Sequence, residues 1–162
     1  MQRLARLMLV GTAVAGAMTL PGVGSASAGG AREISLVVSN FRYCHKAPCQ
    51  FDDSAYMRTP AGPVQGMDRP SKFVDAAPGD SVRWNYADEL CDATACPGHE
   101  VRLENGGTGV SVGSMDAVKG ASITWTIPDD AKPGTVLRYY CDIQTHWKEG
   151  LTGAFRIVSP LG

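Results

Sequence analysis

The most informative segment of the chain is residues 139–158, which read YYCDIQTHWKEGLTGAFRIV. An apolar run ends at Cys141, a short loop carries His146, and Gly-Leu-Thr-Gly at 150–153 opens a second apolar run. A soft thiolate and an imidazole held five residues apart on one tight loop suit copper. Mononuclear blue copper sites take two His and one Cys in a trigonal arrangement with a weak axial neighbour. The segment therefore predicts a copper site that needs a second histidine from elsewhere in the chain.

The strongest candidate for the second histidine is His99. Gly98-His99 follows the apolar run Ser81 to Tyr86 and begins another run, which places His99 at a strand end. The remaining histidine, His45, lies between Cys44 and Lys46 and is the less favoured alternative.

The rest of the chain has the pattern of an all-β domain. From Glu33 onward, short alternating or β-branched runs are separated by Gly, Pro, Asn and Asp. The predicted strands are 33–43, 72–76, 81–86, 99–104, 110–113, 121–127, 135–141 and 152–158. Residues 44–71, which contain four prolines, are expected to form a long irregular excursion. We predict a two-sheet antiparallel Greek-key β-sandwich of about eight strands, with the metal site at one end beneath loops 87–98 and 142–150.

Three motifs together resemble the plastocyanin and azurin branch of the cupredoxins, over residues 33–158. They are Val82-x-Trp84-Asn85, Gly98-His99-x-Val101, and Tyr139-Tyr140-Cys141-x4-His146-x4-Leu151-x-Gly153. The resemblance implies a cupredoxin-like fold that holds one copper ion through His99, Cys141 and His146. It also implies a distant contact from the Gly98 carbonyl, and a His146 nearer the surface than His99, facing a redox partner protein.

Two positions depart from the family pattern. Leu151 stands where the family usually places an axial Met; because leucine cannot coordinate, we expect a higher reduction potential than in a Met-ligated relative. Glu100 stands where the family commonly has an Asn that ties the ligand loops together, and a carboxylate cannot donate a hydrogen bond to the thiolate.

The first 28 residues have the layout of a secretory signal. Arg3 and Arg6 precede an apolar run, 7–20, that is too short for a good membrane span, and Ala26-Ser27-Ala28 supplies a small-residue cleavage pattern. We expect a mature single domain at residues 29–162, secreted into the periplasm or outside the cell, monomeric and without a membrane span. Residues 1–28 hold two of the 15 basic residues and none of the 16 acidic ones, so the mature formal charge is −3. Nothing in this charge pattern indicates nucleic-acid binding.

Five cysteines remain in the mature chain, and cysteines of exported proteins usually form disulfides. Cys44 and Cys49 have the same spacing as Cys91 and Cys96, so two short loops, 44–49 and 91–96, are the favoured pairing. Four cysteines allow three pairings, and the alternatives stay open. A four-Cys zinc site is disfavoured by the oxidising compartment and by the absence of a Cys-x2-Cys knuckle. Cys141 is then the free thiol.

These features favour a one-electron carrier, with a copper delivery or storage protein for an exported cuproenzyme as the alternative. A small copper oxidase or reductase would need an open coordination position and a substrate pocket. A thiol hydrolase using Cys141 and His146 would need an orienting third group and an oxyanion site, and it leaves His99 without a role. A metal-free structural domain is the remaining hypothesis.

Overall fold

The computed structural model describes residues 30–87, 98–104, 109–116 and 119–160. The expected secretory signal at 1–28 and the proposed Cys91–Cys96 disulfide lie outside the described residues. Within them are eleven strands: β1 (Glu33–Ser39), β2 (Arg42–Cys44), β3 (Tyr56–Thr59), β4 (Gly62–Asp68), β5 (Val74–Ala76), β6 (Ser81–Tyr86), β7 (His99–Leu103), β8 (Val110–Met115), β9 (Ser122–Thr126), β10 (Val136–Tyr140) and β11 (Thr152–Ile157). Three 3-10 helices lie at Phe51–Asp53, Pro70–Lys72 and Ile143–Glu149.

The strands form two packed sheets and one separate hairpin, which confirms the predicted all-β sandwich. The first sheet has the order β2-β1-β6-β9 and the second has the order β5-β11-β10-β7-β8. Alternate residues of β6, Val82, Trp84 and Tyr86, are buried, because successive side chains of a strand point to opposite faces of the sheet. They join Tyr139 and Phe155 of the second sheet in one apolar core.

The strand count differs from the predicted eight in two regions. Residues 33–43 are a β1–β2 hairpin, because Asn40 (φ +49°) and Phe41 (φ +54°) form a two-residue turn with left-handed backbone. The 44–71 excursion contains the β3–β4 hairpin, which is a sheet of its own. Pro63 is compatible with this hairpin because both strands of a two-stranded sheet are edge strands.

Two strand pairs differ from the predicted antiparallel arrangement. β1 pairs with β6 in parallel, with Leu36 opposite Trp84, and β5 pairs with β11 in parallel, with Val74 opposite Phe155. A parallel pair needs a long crossover connection, and both pairs join segments far apart in the sequence.

Gly153 is required by close packing between β11 and β10. It lies opposite Tyr139, and a Cβ atom at residue 153 would collide with the Tyr139 ring. Glycine therefore lets this buried ring lie directly over the neighbouring strand. Among the described residues, no helix has the length and apolar character needed to cross a membrane.

Candidate metal centre

Three side chains from two regions of the sequence meet at one end of the second sheet. His99 is the first residue of β7, Cys141 directly follows β10, and His146 lies in the 3-10 segment Ile143–Glu149. The Cys141 Sγ atom lies 3.5 Å from His146 Nδ1 and 3.9 Å from His99 Nδ1, and the two Nδ1 atoms are 3.2 Å apart. All three residues are buried, so their donor atoms converge in a space closed to bulk solvent.

Backbone hydrogen bonds hold the loop that carries His146. The Cys141 N–H donates to the Leu151 carbonyl, the Trp147 N–H donates to the Cys141 carbonyl, and the Leu151 N–H donates to the His146 carbonyl. Gln144 (φ +47°) and Thr145 (φ +60°) have left-handed backbone, which costs roughly 1–3 kcal/mol at each non-glycine residue. These bonds maintain that strained, tight loop and hold His146 against Cys141.

The link between the strand that begins at His99 and the segment that carries Cys141 is made by the backbone of Glu100. Its N–H donates to Cys141 Sγ at 3.4 Å, while its carboxylate accepts from Arg102 Nε at 2.9 Å. The Tyr43 hydroxyl donates to the Glu100 carbonyl at 2.7 Å. The link to Cys141 is made by a main-chain donor, which leaves no side-chain signature in the sequence.

The protonation states of the cluster follow from its burial. Burial raises the pKa of the Cys141 thiol to about 11, against the opposing effect of N–H groups of Glu100 and Ile143. Burial also lowers the pKa of His146. At neutral pH the metal-free site therefore holds a protonated thiol beside a neutral imidazole, and a bound cation would displace the thiol proton.

The donor set fits a copper ion better than a structural zinc ion. One thiolate and two imidazoles are the three strong ligands of a blue copper site, whereas structural zinc takes four protein ligands. Leu151 is fully buried in the same core as Cys141 and has no atom able to coordinate. Gly98 is buried directly before His99 and has left-handed backbone, with φ +79°.

The other sequence-predicted residues lie outside the cluster. His45 is exposed and is not part of it. Cys44 and Cys49 form the expected disulfide, and Cys141 is a free, buried thiol.

Sequence reasoning missed Phe41, which covers the cluster from the solvent side. Its ring centroid lies 4.9 Å from that of His146 and 6.0 Å from that of His99, in a T-shaped arrangement with both. His99 and His146 are consequently exposed to almost the same extent, 4% and 5%, although the resemblance implied a more exposed His146. Asn40 was a usable turn signal, but phenylalanine is not a turn residue and made residues 33–43 look like one strand.

Arg58 packs against the chain neighbours of two cluster residues. Its guanidinium lies 3.6 Å from the centroid of the Tyr140 ring and 5.2 Å from that of the Trp147 ring. Its Nε donates to Glu104 Oε1 at 2.8 Å, with side chains 3% and 10% exposed. Arg58 therefore contacts the residue before Cys141 and the residue after His146.

Comparison with known proteins gives matches among solved structures alone. No protein-family model matches the chain, and no significant match to a curated protein is found. The Cu(I) form of a methionine-to-alanine variant of amicyanin is 13% identical, with 77% of this chain and 81% of that chain covered and a TM-score of 0.43. The Cu-containing nitrite reductase (NirK) from Thermus scotoductus SA-01 is 14% identical, with 80% of this chain and 23% of that chain covered and a TM-score of 0.43. By its own strand order and its two packed sheets, the chain is an all-β sandwich.

Proposed function

We propose that the chain binds one copper ion through His99 Nδ1, Cys141 Sγ and His146 Nδ1, and that it carries electrons one at a time outside the cytoplasm. The observation that supports this most directly is the convergence of three buried donor atoms within 3.9 Å of one another. When bound, copper supplies a one-electron Cu(I)/Cu(II) couple.

The surroundings of the cluster favour an electron carrier because they restrain the ligands. Cys141 accepts a hydrogen bond from the Glu100 N–H, and the 143–149 loop is tied to Cys141 and Leu151 by main-chain bonds. We expect residues held by these bonds to move little when the metal charge changes. If copper bound here, Leu151, which is fully buried and has no donor atom, would not serve as a further ligand, and the lack of a further donor would favour Cu(I) and a high reduction potential.

The same features count against the copper-delivery and enzyme alternatives. A delivery protein must release its metal readily, yet both histidines are buried beneath Phe41. A copper oxidase or reductase needs a coordination position open to substrate, whereas all three donor residues are buried and Leu151 is fully buried and offers no donor atom. The redox partner is proposed to be an exported protein that docks near His146 and Phe41.

The test is the visible and electron-spin spectrum of residues 29–162 with Cu(II) added and the disulfides intact. We expect an intense thiolate-to-copper band that is absent in Cys141→Ser and strongly altered in His99→Ala and His146→Ala. His45→Ala is the matched control, because this exposed histidine lies outside the cluster. If the band is missing from the parent protein, or if His45→Ala removes it, the proposed ligand set is wrong.

A second measurement separates the carrier from the delivery protein. Reversible voltammetry together with slow loss of copper to a chelator supports electron transfer. Rapid transfer of copper to the chelator would favour delivery instead.

A further inference from the structure

We propose that the Phe41 ring covers the solvent side of the metal site and thereby limits which small ligands and chelators reach the metal. The inference rests on the proposed function, because Phe41 covers the same cluster of His99, Cys141 and His146. It adds a residue from the β1–β2 hairpin, far in sequence from all three proposed ligands.

The position of the ring is that of a cover. Phe41 meets the His146 ring at 73° and the His99 ring at 83°, with the edge-to-face geometry that aromatic pairs prefer. Phe41 is 41% exposed, so part of its surface contacts the histidines and part faces water. A molecule approaching His146 from this side must first displace the ring.

The backbone of the turn is fixed in the conformation that places the ring there. Left-handed backbone is uncommon for a large side chain, and it persists only where neighbours determine it. Arg42 Nη1 donates to the Phe41 carbonyl at 2.7 Å, and Arg42 is itself buried. Asn40 Nδ2 donates to the carbonyl of Cys49, which is disulfide-bonded to Cys44 of β2. Two anchors therefore flank Phe41 on either side of the turn.

The contribution of Phe41 to folding is small by comparison. Phe41 is not part of the buried core, and two-fifths of its surface remains in water. Removing the ring should consequently change access to the site more than it changes stability. A larger effect on access than on stability distinguishes a cover from a residue that only packs in the core.

The experiment compares Phe41→Ala and Phe41→Gly with the parent protein. In the copper-loaded forms we expect the thiolate-to-copper band to be retained. We expect sodium azide to change the Cu(II) spectrum at concentrations that leave the parent unchanged. Bathocuproine disulfonate should extract Cu(I) about tenfold faster, the factor that corresponds to the loss of two edge-to-face contacts. Phe41→Gly should unfold at a temperature no lower than Phe41→Ala, because glycine adopts left-handed backbone without strain.

The matched control is Phe51→Ala. Phe51 is 85% exposed and its ring contacts Arg42, but it is in contact with neither histidine. Phe51→Ala should therefore keep the parent rates of azide binding and copper extraction. The proposal is overturned if azide binding and copper extraction are accelerated equally in Phe41→Ala and Phe51→Ala, or if neither variant accelerates them.

A copper-free readout separates this inference from the proposed function. In metal-free protein, modification of the Cys141 thiol by a disulfide reagent should also be about tenfold faster in Phe41→Ala than in the parent. If the parent lacks the copper band but this acceleration is present, the copper function fails while the cover stands. If the band is present but neither azide, chelator nor thiol reagent distinguishes Phe41→Ala, the cover is refuted while the copper function stands.

Discussion

Replacing Arg58 by methionine tests the buried ion pair that lies beside the proposed ligands. Arg58→Met keeps an unbranched side chain beside the Tyr140 and Trp147 rings but removes the guanidinium. Glu104 then keeps the hydrogen bond from the Tyr56 hydroxyl at 2.9 Å and loses its ion-pair partner. Its Oε2 atom is buried and already has no hydrogen-bond partner among the described residues.

The expected loss of stability is large because the variant leaves a buried charge without compensation. Breaking a buried ion pair by removing one partner costs about 3–5 kcal/mol. For a domain of this size that corresponds to a fall of roughly 10–20 °C in unfolding temperature. Removing the charge of Glu104 as well, in Arg58→Met with Glu104→Gln, should recover about 2 kcal/mol of the loss.

The assay is urea unfolding of the metal-free, disulfide-intact protein, followed by both circular dichroism and tryptophan fluorescence to check two-state behaviour. A full double-mutant cycle with Glu104→Gln alone gives the coupling between the two residues. A loss in unfolding free energy below about 1 kcal/mol for Arg58→Met would refute the reasoning. Strictly additive losses in the double variant would do the same, because they would show that Arg58 and Glu104 are not coupled.

Three further predictions concern the axial position, the pH dependence and the disulfide. Leu151→Met, a substitution that conserves volume, should cost less than about 1.5 kcal/mol and lower the reduction potential of the copper-loaded protein; voltammetry showing an equal or higher potential contradicts this. Burial alone would raise the pKa of the Asp80 carboxyl, but hydrogen bonds from Ala77 N–H and from Arg32 lower it in net. The stability that Asp80 contributes is therefore present above about pH 4 and lost as the pH falls through its lower folded-state pKa. Thermal unfolding between about pH 2 and 6 should show a weaker acid dependence in Asp80→Asn than in the parent. Removing the Cys44–Cys49 disulfide as the double alanine variant should lower the unfolding free energy by about 2 kcal/mol, given the short loop it closes. An unchanged urea midpoint would show that the bond does not restrain the unfolded chain.

The parts of the fold that the sequence predicted are those with a strong local pattern. Val82, Trp84 and Tyr86 alternate with polar residues and occupy one buried face of β6. The apolar run ending at Cys141 indicated β10 and the loop after it. The proximity of His99, Cys141 and His146 agrees with the sequence interpretation, and their role as metal ligands stays a prediction.

The features that sequence reasoning missed depend on conformation or on contacts distant in the chain. Pro60 and Pro63 were interpreted as marks of irregular structure, although an isolated hairpin tolerates both residues at its turn and edge. The Asn40–Phe41 turn was hidden because phenylalanine adopts left-handed backbone there only under constraint from Arg42. The hydrogen bond from Glu100 to Cys141 is donated by the main-chain N–H, so the residue type at position 100 does not predict it.

The strand order also constrains how the protein can be made. β11 follows the ten other described strands in the sequence, yet it lies inside the second sheet between β5 and β10. Until β11 has emerged from the ribosome, β5 and β10 lack their shared neighbour, and the carbonyl of Leu151 that receives the Cys141 N–H is not in place. The second sheet therefore cannot form completely while only the first half of the domain has been synthesised. All strands of the first sheet are available once Thr126 has been made, whereas the second sheet stays incomplete until nearly all of residues 30–160 are available.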